Sequence, residues 1–289
     1  MQEKRLWLLL LLVSFYVSAQ FKGIVIDSIS KKPISFVNIW VENENIGTTT
    51  EENGMFIINA VENNKNLIFS ALGFEKKIVK AVNAGEVQLS PIAYQLEEVV
   101  LSRRKQTKEL EIGRIPDAIF EAFDNGPRID VKYFPYSTNY SRIKYIKKVI
   151  LLTDNRIERA TIKIHFYSVD ANGFPAEELF KKDFVVSVQK GVLKTRFDVS
   201  DFNLKMPKNG LFVGVEKLLI EKNKIEKPIN DLNKNKTITQ IKYAPFVLYN
   251  FVETDLLFTF SGGKWSRQTN EDHSKIKAYE PAINLLLTN

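Results

Sequence analysis

Period-two alternation of apolar and polar residues constrains this chain more than any other feature. Between Phe21 and about Ser102, runs such as GIVID (23–27), SFVNIWVEN (35–43), GMFIINAV (54–61), NLIFSALGF (66–74) and EKKIVKAV (75–82) are rich in β-branched and aromatic residues. Such residues fit a pleated, half-buried surface. SKKP, ENENIG, EENG, ENNKN and NAGE supply turn chemistry between the runs. No amphipathic helical period lasts more than about one turn, so a small all-β sandwich over residues 20–102 is expected.

Within it, IGTTTEENGMFIINA (46–60) gathers Thr, Glu, Asn and Gly as a metal or phosphate cradle would. The spaced acidic series of a calcium loop is missing. The stretch reads as a hairpin, with the Thr run as one short strand, Gly47 and Gly54 in tight turns, and Phe56 and Ile58 sharing one face of the next strand. DANG (170–173) reads as a turn for the same reason. Val37 and Ile39 share a face opposite Asn38 and Trp40, and Trp40 is expected to pack beneath a neighbouring domain rather than to stack on a ligand.

Residues 103–127 change texture. RRKQTKELEIG is highly charged, 116–123 is weakly helical and DNGP is a turn signal, which predicts a linker with a short helix. From 128 to 289 about eight further strand-like runs follow, among them 140–153, 158–170, 182–189, 192–200 and 210–220. The fold class expected is therefore all-β: an N-terminal β-sandwich followed by a larger jelly-roll-like β-sandwich.

The first residues are read separately. Lys4 and Arg5 precede a largely apolar run, 6–17, and Val17-Ser18-Ala19 suits a signal peptidase. A signal peptide over 1–19 with cleavage before Gln20 is expected, the run being shorter than the roughly 20 residues of a membrane-crossing helix. The exported chain then keeps no transmembrane segment. It has no Cys, which excludes disulfides, a cysteine nucleophile and a lipoprotein anchor. A periplasmic, outer-membrane-associated or cell-surface location is expected. The formal charge of +7 is spread in mixed-sign surroundings, as solvated strand-edge lysines are, and no recognition helix for nucleic acid is visible.

Chemistry is sparse. Of the two His in the chain, His273 lies in a polar run, QTNEDHSK. His165, in TIKIHFYSV, shares a face with Thr161, Lys163 and Tyr167 opposite Ile162, Ile164 and Phe166, and reads as a solvated or hydrogen-bonded strand residue. Neither has metal-ligand spacing or a nucleophile elbow, so no catalytic residue, cofactor or metal is expected. The ring-bearing residues assigned to loops, Tyr133, Tyr136 and Trp265, are the candidate ligand contacts, for a glycan.

Gly23-Ile24-Val25-Ile26-Asp27, Pro33-Ile34 with Val37 and Ile39, Gly47-Thr48-Thr49-Thr50, Gly54-Met55-Phe56 and the exit Leu96-Glu97-Glu98-Val99-Val100-Leu101 together resemble the carboxypeptidase regulatory-like domain, a transthyretin-like sandwich of exported Bacteroidetes proteins. FYSVDANGFPAEEL and FDVSDFNLKMPKNGLFVGVE resemble, less specifically, a sandwich of uncharacterised type that accompanies it. The resemblance implies architecture and location. It covers the accessory domain of carboxypeptidases, not the zinc enzyme, and the chain ends before the barrel of a TonB-dependent receptor could follow. The expected function is a non-enzymatic envelope scaffold or interaction protein binding another envelope protein. A carbohydrate-binding module is the alternative, and a hydrolase with two acidic side chains converging in one cleft the enzymatic rival.

Overall fold

The structure, a computed structural model, describes residues 20–59, 61–92, 107–113, 120–122, 127–231, 236–254, 257–269 and 276–289. The expected signal peptide, the exit segment 96–101, much of 103–127 and His273 lie outside the described residues. Among those described, no helix is long and apolar enough to cross a membrane.

The first unit comprises β1 (Gln20–Asp27), β2 (Asn38–Val41), β3 (Gly47–Thr49), β4 (Met55–Asn59), β5 (Asn66–Ser70), β6 (Lys77–Lys80) and β7 (Glu86–Leu89). They form two sheets, β4-β1-β7 and β3-β2-β5-β6, with β1 and β7 parallel and the other pairs antiparallel. Val25, Val37, Ile39, Phe56, Ile58 and Phe69 fill the space between them. Alternation assigned these faces correctly: Phe56 and Ile58 are buried while Met55, Ile57 and Asn59 are exposed.

The hairpin expected at 46–60 is not one. β3 pairs with β2 and β4 with β1, in different sheets, so EENG carries the chain across the sandwich. Gly54 makes that crossing at φ +76°, where a Cβ would stand 2.8 Å from the Val25 carbonyl, a position glycine alone occupies without strain. Beside it Thr50, fully buried, accepts from the Val37 N–H at 2.8 Å and donates to the Ile34 carbonyl at 2.9 Å. Thr50→Val is expected to cost about 1–3 kcal/mol by stranding both backbone groups, seen as a lower urea midpoint at unchanged slope. An unchanged midpoint would refute the role.

The second unit has fourteen described strands: β8 (Glu109–Ile112), β9 (Phe120–Ala122), β10 (Ile129–Phe134), β11 (Tyr145–Val169), β12 (Pro175–Glu178), β13 (Phe184–Asp198), β14 (Leu211–Lys217), β15 (Lys224–Asp231), β16 (Lys236–Tyr243), β17 (Phe246–Thr254), β18 (Leu257–Ser261), β19 (Lys264–Gln268), β20 (Ile276–Pro281) and β21 (Ile283–Thr288). Twelve join one branched sheet, and β15 and β16 form a separate ribbon. β11 is the axis. Its first half pairs with β21 and its second with β14, while β13 follows it along most of its length. Ile146, Val149 and Leu151 from the first half meet Ile162, Ile164 and Phe166 from the second in one core.

Three expectations are corrected here. The runs 140–153 and 158–170 are one strand, because the polar DNRI between them forms a bulge rather than a turn. Asn155 secures it, its Nδ2 donating to the carbonyls of Ile157 and Val188 at 2.9 and 2.8 Å. The runs 182–189 and 192–200, expected as two strands, are likewise joined in β13, with QKG (189–191) inside it. The linker with a short helix contributes strands: β8 pairs with β21, and β9, inside the stretch expected to be helical, pairs with β17.

Candidate functional site

The polar face of β11 is the site. Strand alternation sends Ile162, Ile164 and Phe166 into the core and Thr161, Lys163 and His165 to the other side, where all three are nevertheless buried. The first unit packs against this face: Lys163 Nζ donates to the Phe36 carbonyl at 2.9 Å, and Trp40 meets Phe260 edge to face at 5.8 Å. The expectation that Trp40 packs beneath a neighbouring domain is met. The solvated alternative for His165 is not, because the face that reads as polar is covered by protein.

Sheet register brings carboxylates to that face. Glu216 in β14 stands opposite Lys163, and Glu178 ends β12 opposite Tyr167. His165 Nδ1 lies 2.8 Å from Glu178 Oε2 and Nε2 lies 2.8 Å from Glu216 Oε2. A carboxylate oxygen only accepts, so both ring nitrogens donate and the ring is an imidazolium. Burial works against that charge, but attraction and hydrogen bonding from Glu178 and Glu216 outweigh it and lift the pKa to about 9. Glu216 is likewise opposed by burial, yet the charge of Lys163, the His165 bond and the Asn38 side chain hold its pKa below the usual carboxylate value. Glu178 Oε1 accepts from the Phe166 N–H at 2.8 Å. Lys163 also stands 3.3 Å from Asp183 Oδ1. The Tyr167 hydroxyl is kept protonated by burial, then by the charges of Glu178, Glu216 and Asp183.

These groups border a cleft of about 310 Å³ between the two units. Its other walls include Trp40, Phe260 and Trp265, with Trp265 edge-on to Tyr167 at 5.1 Å and to Phe260 at 5.2 Å. Loops lock the units together around it. The Leu219 N–H donates to Thr49 Oγ1 at 3.1 Å and the Glu221 N–H to Glu51 Oε1 at 2.7 Å. The Asn43 N–H reaches the Gly262 carbonyl at 3.2 Å, and Lys76 Nζ the Gly263 carbonyl at 3.1 Å. The SGGK turn can approach so closely because a Cβ on Gly262 would stand about 3 Å from the Glu44 backbone.

The three aromatic candidates part company. Trp265 is in β19 rather than a loop and borders the cleft. Tyr133 is in β10, its ring tilted against Phe212 at 5.1 Å and its hydroxyl donating to the Asn209 carbonyl at 3.0 Å; burial raises its pKa. Tyr136 packs on the larger core beside Tyr140, 6.1 Å away. Sequence reasoning missed the ionised cluster. Its signal was Glu216, which with Lys217 interrupts the apolar stretch LFVGVEKLLI (211–220), since a charge there demands a partner.

A two-unit, all-β architecture in which the first unit packs on a charged strand face of the second is the class that fold and site define. Residues 21–101 match the family model of the CarboxypepD_reg-like domain, whose members are regulatory and non-catalytic; the C-terminal unit lies outside the match. A search of curated proteins gives no match.

Proposed function

We propose that this is a non-enzymatic, exported cell-envelope interaction protein whose two sandwiches act as one rigid body toward another envelope protein. The commitment of both His165 nitrogens to carboxylates carries the reading. A histidine so held has no lone pair to take a proton or bind a metal, and Glu216, with its pKa lowered, is a poor general acid. The carboxylates that converge here, the arrangement a hydrolase would need, are spoken for by Lys163 and His165. The polar and aromatic seam between the units supports the rigid-body part. An affinity pull-down from envelope extract is expected to recover a stable protein partner in fixed ratio. Recovery of none, together with turnover of an envelope substrate, would overturn the proposal.

A second reading, a carbohydrate-binding protein, is favoured by one observation: Trp265, Tyr167 and Phe260 meet at the wall of the cleft.

A further inference from the structure

Lys163 is the most deeply buried amine among the described residues, at 2% exposure. β11 sets it opposite Val185 of β13, so Asp183, two residues ahead of Val185, lies on the same face and on the diagonal from it. Asp183 Oδ1 stands 3.3 Å from Lys163 Nζ. That oxygen is nevertheless buried with no hydrogen bond among the described residues, so the two groups meet without the angles of one. Taking two opposite charges out of water is costly unless well-formed hydrogen bonds offset it, and this pair lacks the bond its own separation would allow.

One reaction removes both charges and needs no second molecule: an ammonium and a carboxylate condense to an amide and water. We propose that Lys163 and Asp183 join through an isopeptide bond between Nζ and Cγ. A proton passes from the ammonium to the carboxylate, the lone pair of the amine forms the Nζ–Cγ bond, and the Cγ–Oδ2 bond breaks. The departing oxygen carries two of the three ammonium protons away as water, into the cleft that Asp183 borders. The third stays on nitrogen, where the Phe36 carbonyl, already 2.9 Å from Nζ, accepts from it. In bulk water the balance favours the separate ions. Two groups held side by side by paired strands reach effective concentrations on the order of 10⁵–10⁸ M, which reverses it, and burial of the amide keeps water from the return reaction. One cation and one anion vanish together, so the net charge around His165 is unchanged and its bonds to Glu178 and Glu216 remain. The link closes the loop that carries β12, and with it Glu178, onto β11, in a chain that has no Cys to make a disulfide. It goes beyond the protein-partner reading and is independent of what the protein binds.

Mass spectrometry reads the bond directly. The intact exported chain, folded, purified and then denatured, is expected to weigh one water less than its sequence. Tryptic digestion should release a branched peptide in which Lys163 is joined to Asp183, with no cleavage after Lys163. Lys163→Met, which keeps the buried apolar stem, and Asp183→Ala should each restore the full mass and abolish the branched peptide. The decisive observation is made on the unsubstituted chain, so it does not depend on either variant folding. A full sequence mass after prolonged incubation of the folded chain at neutral pH overturns the proposal. A water loss that maps to another residue, or to a succinimide at Asp183, which leaves no branched peptide, overturns it equally.

Discussion

His165→Ala is expected to lower the unfolding free energy by about 3–5 kcal/mol near neutral pH, the range for removing one partner of a buried ion pair. The loss is large because the imidazolium serves two anions. Without it Glu178 and Glu216 face each other across a gap that the first unit still covers, and each must either shed its charge or draw water into the seam. The Asn38 amide and Lys163 compensate only Glu216. Urea denaturation measures the loss, and adding Glu216→Leu to His165→Ala should recover part of it, since the second substitution removes a stranded charge. A cost below about 1 kcal/mol for the single variant would place the cluster among solvent-screened surface pairs and remove the argument that the seam is rigid.

The faces of the strands were legible in the sequence, and what covers them was not. Alternation placed Phe56 with Ile58, Val37 with Ile39, and Ile162 with Ile164 and Phe166, because side-chain period follows directly from the pleat. It could not say that the Thr161, Lys163 and His165 face would meet β2 rather than water, since polarity on a strand means solvent only if no other domain docks there. Turn chemistry had a similar limit. DANG turned as expected, with the Asp170 carboxylate accepting from the Asn172 and Phe174 N–H groups. EENG also turned, but which sheet its strands joined depends on long-range pairing that local residues do not encode. DNRI looked like a break because its residues are polar, yet Asn155 satisfies the bulged backbone and keeps β11 whole. The cluster itself assembles from β11, β12 and β14, residues far apart in the chain, which is why no spaced motif announced it.

Stability is expected to fall as pH rises from about 6.5 to about 9, by roughly 3 kcal/mol if His165 acts alone, at 1.36 kcal/mol for each unit of pKa difference. The direction follows from proton binding. The folded chain holds the His165 proton more tightly than the unfolded one, so the stabilisation is fully present below 6.5 and disappears as pH passes through about 9. Glu216 acts in the opposite direction: its lowered pKa makes its contribution present above the ordinary 4.5 and lost on acidification. The two describe one coupled interaction and are not added. Lys163 and Asp183 also face the cluster, so the comparison with His165→Ala, rather than the wild-type slope alone, isolates the ring. The variant should lack the fall between 6.5 and 9, and the gap between the two proteins, widest between about pH 4.5 and 6.5, should narrow toward alkaline pH by about the same roughly 3 kcal/mol. Parallel curves across that window would mean that the ring is already neutral in the folded chain. One of its nitrogens would then accept from a protonated carboxyl, and the case against proton-transfer chemistry in the cleft would fall with it, because a neutral imidazole has a lone pair with which to exchange a proton.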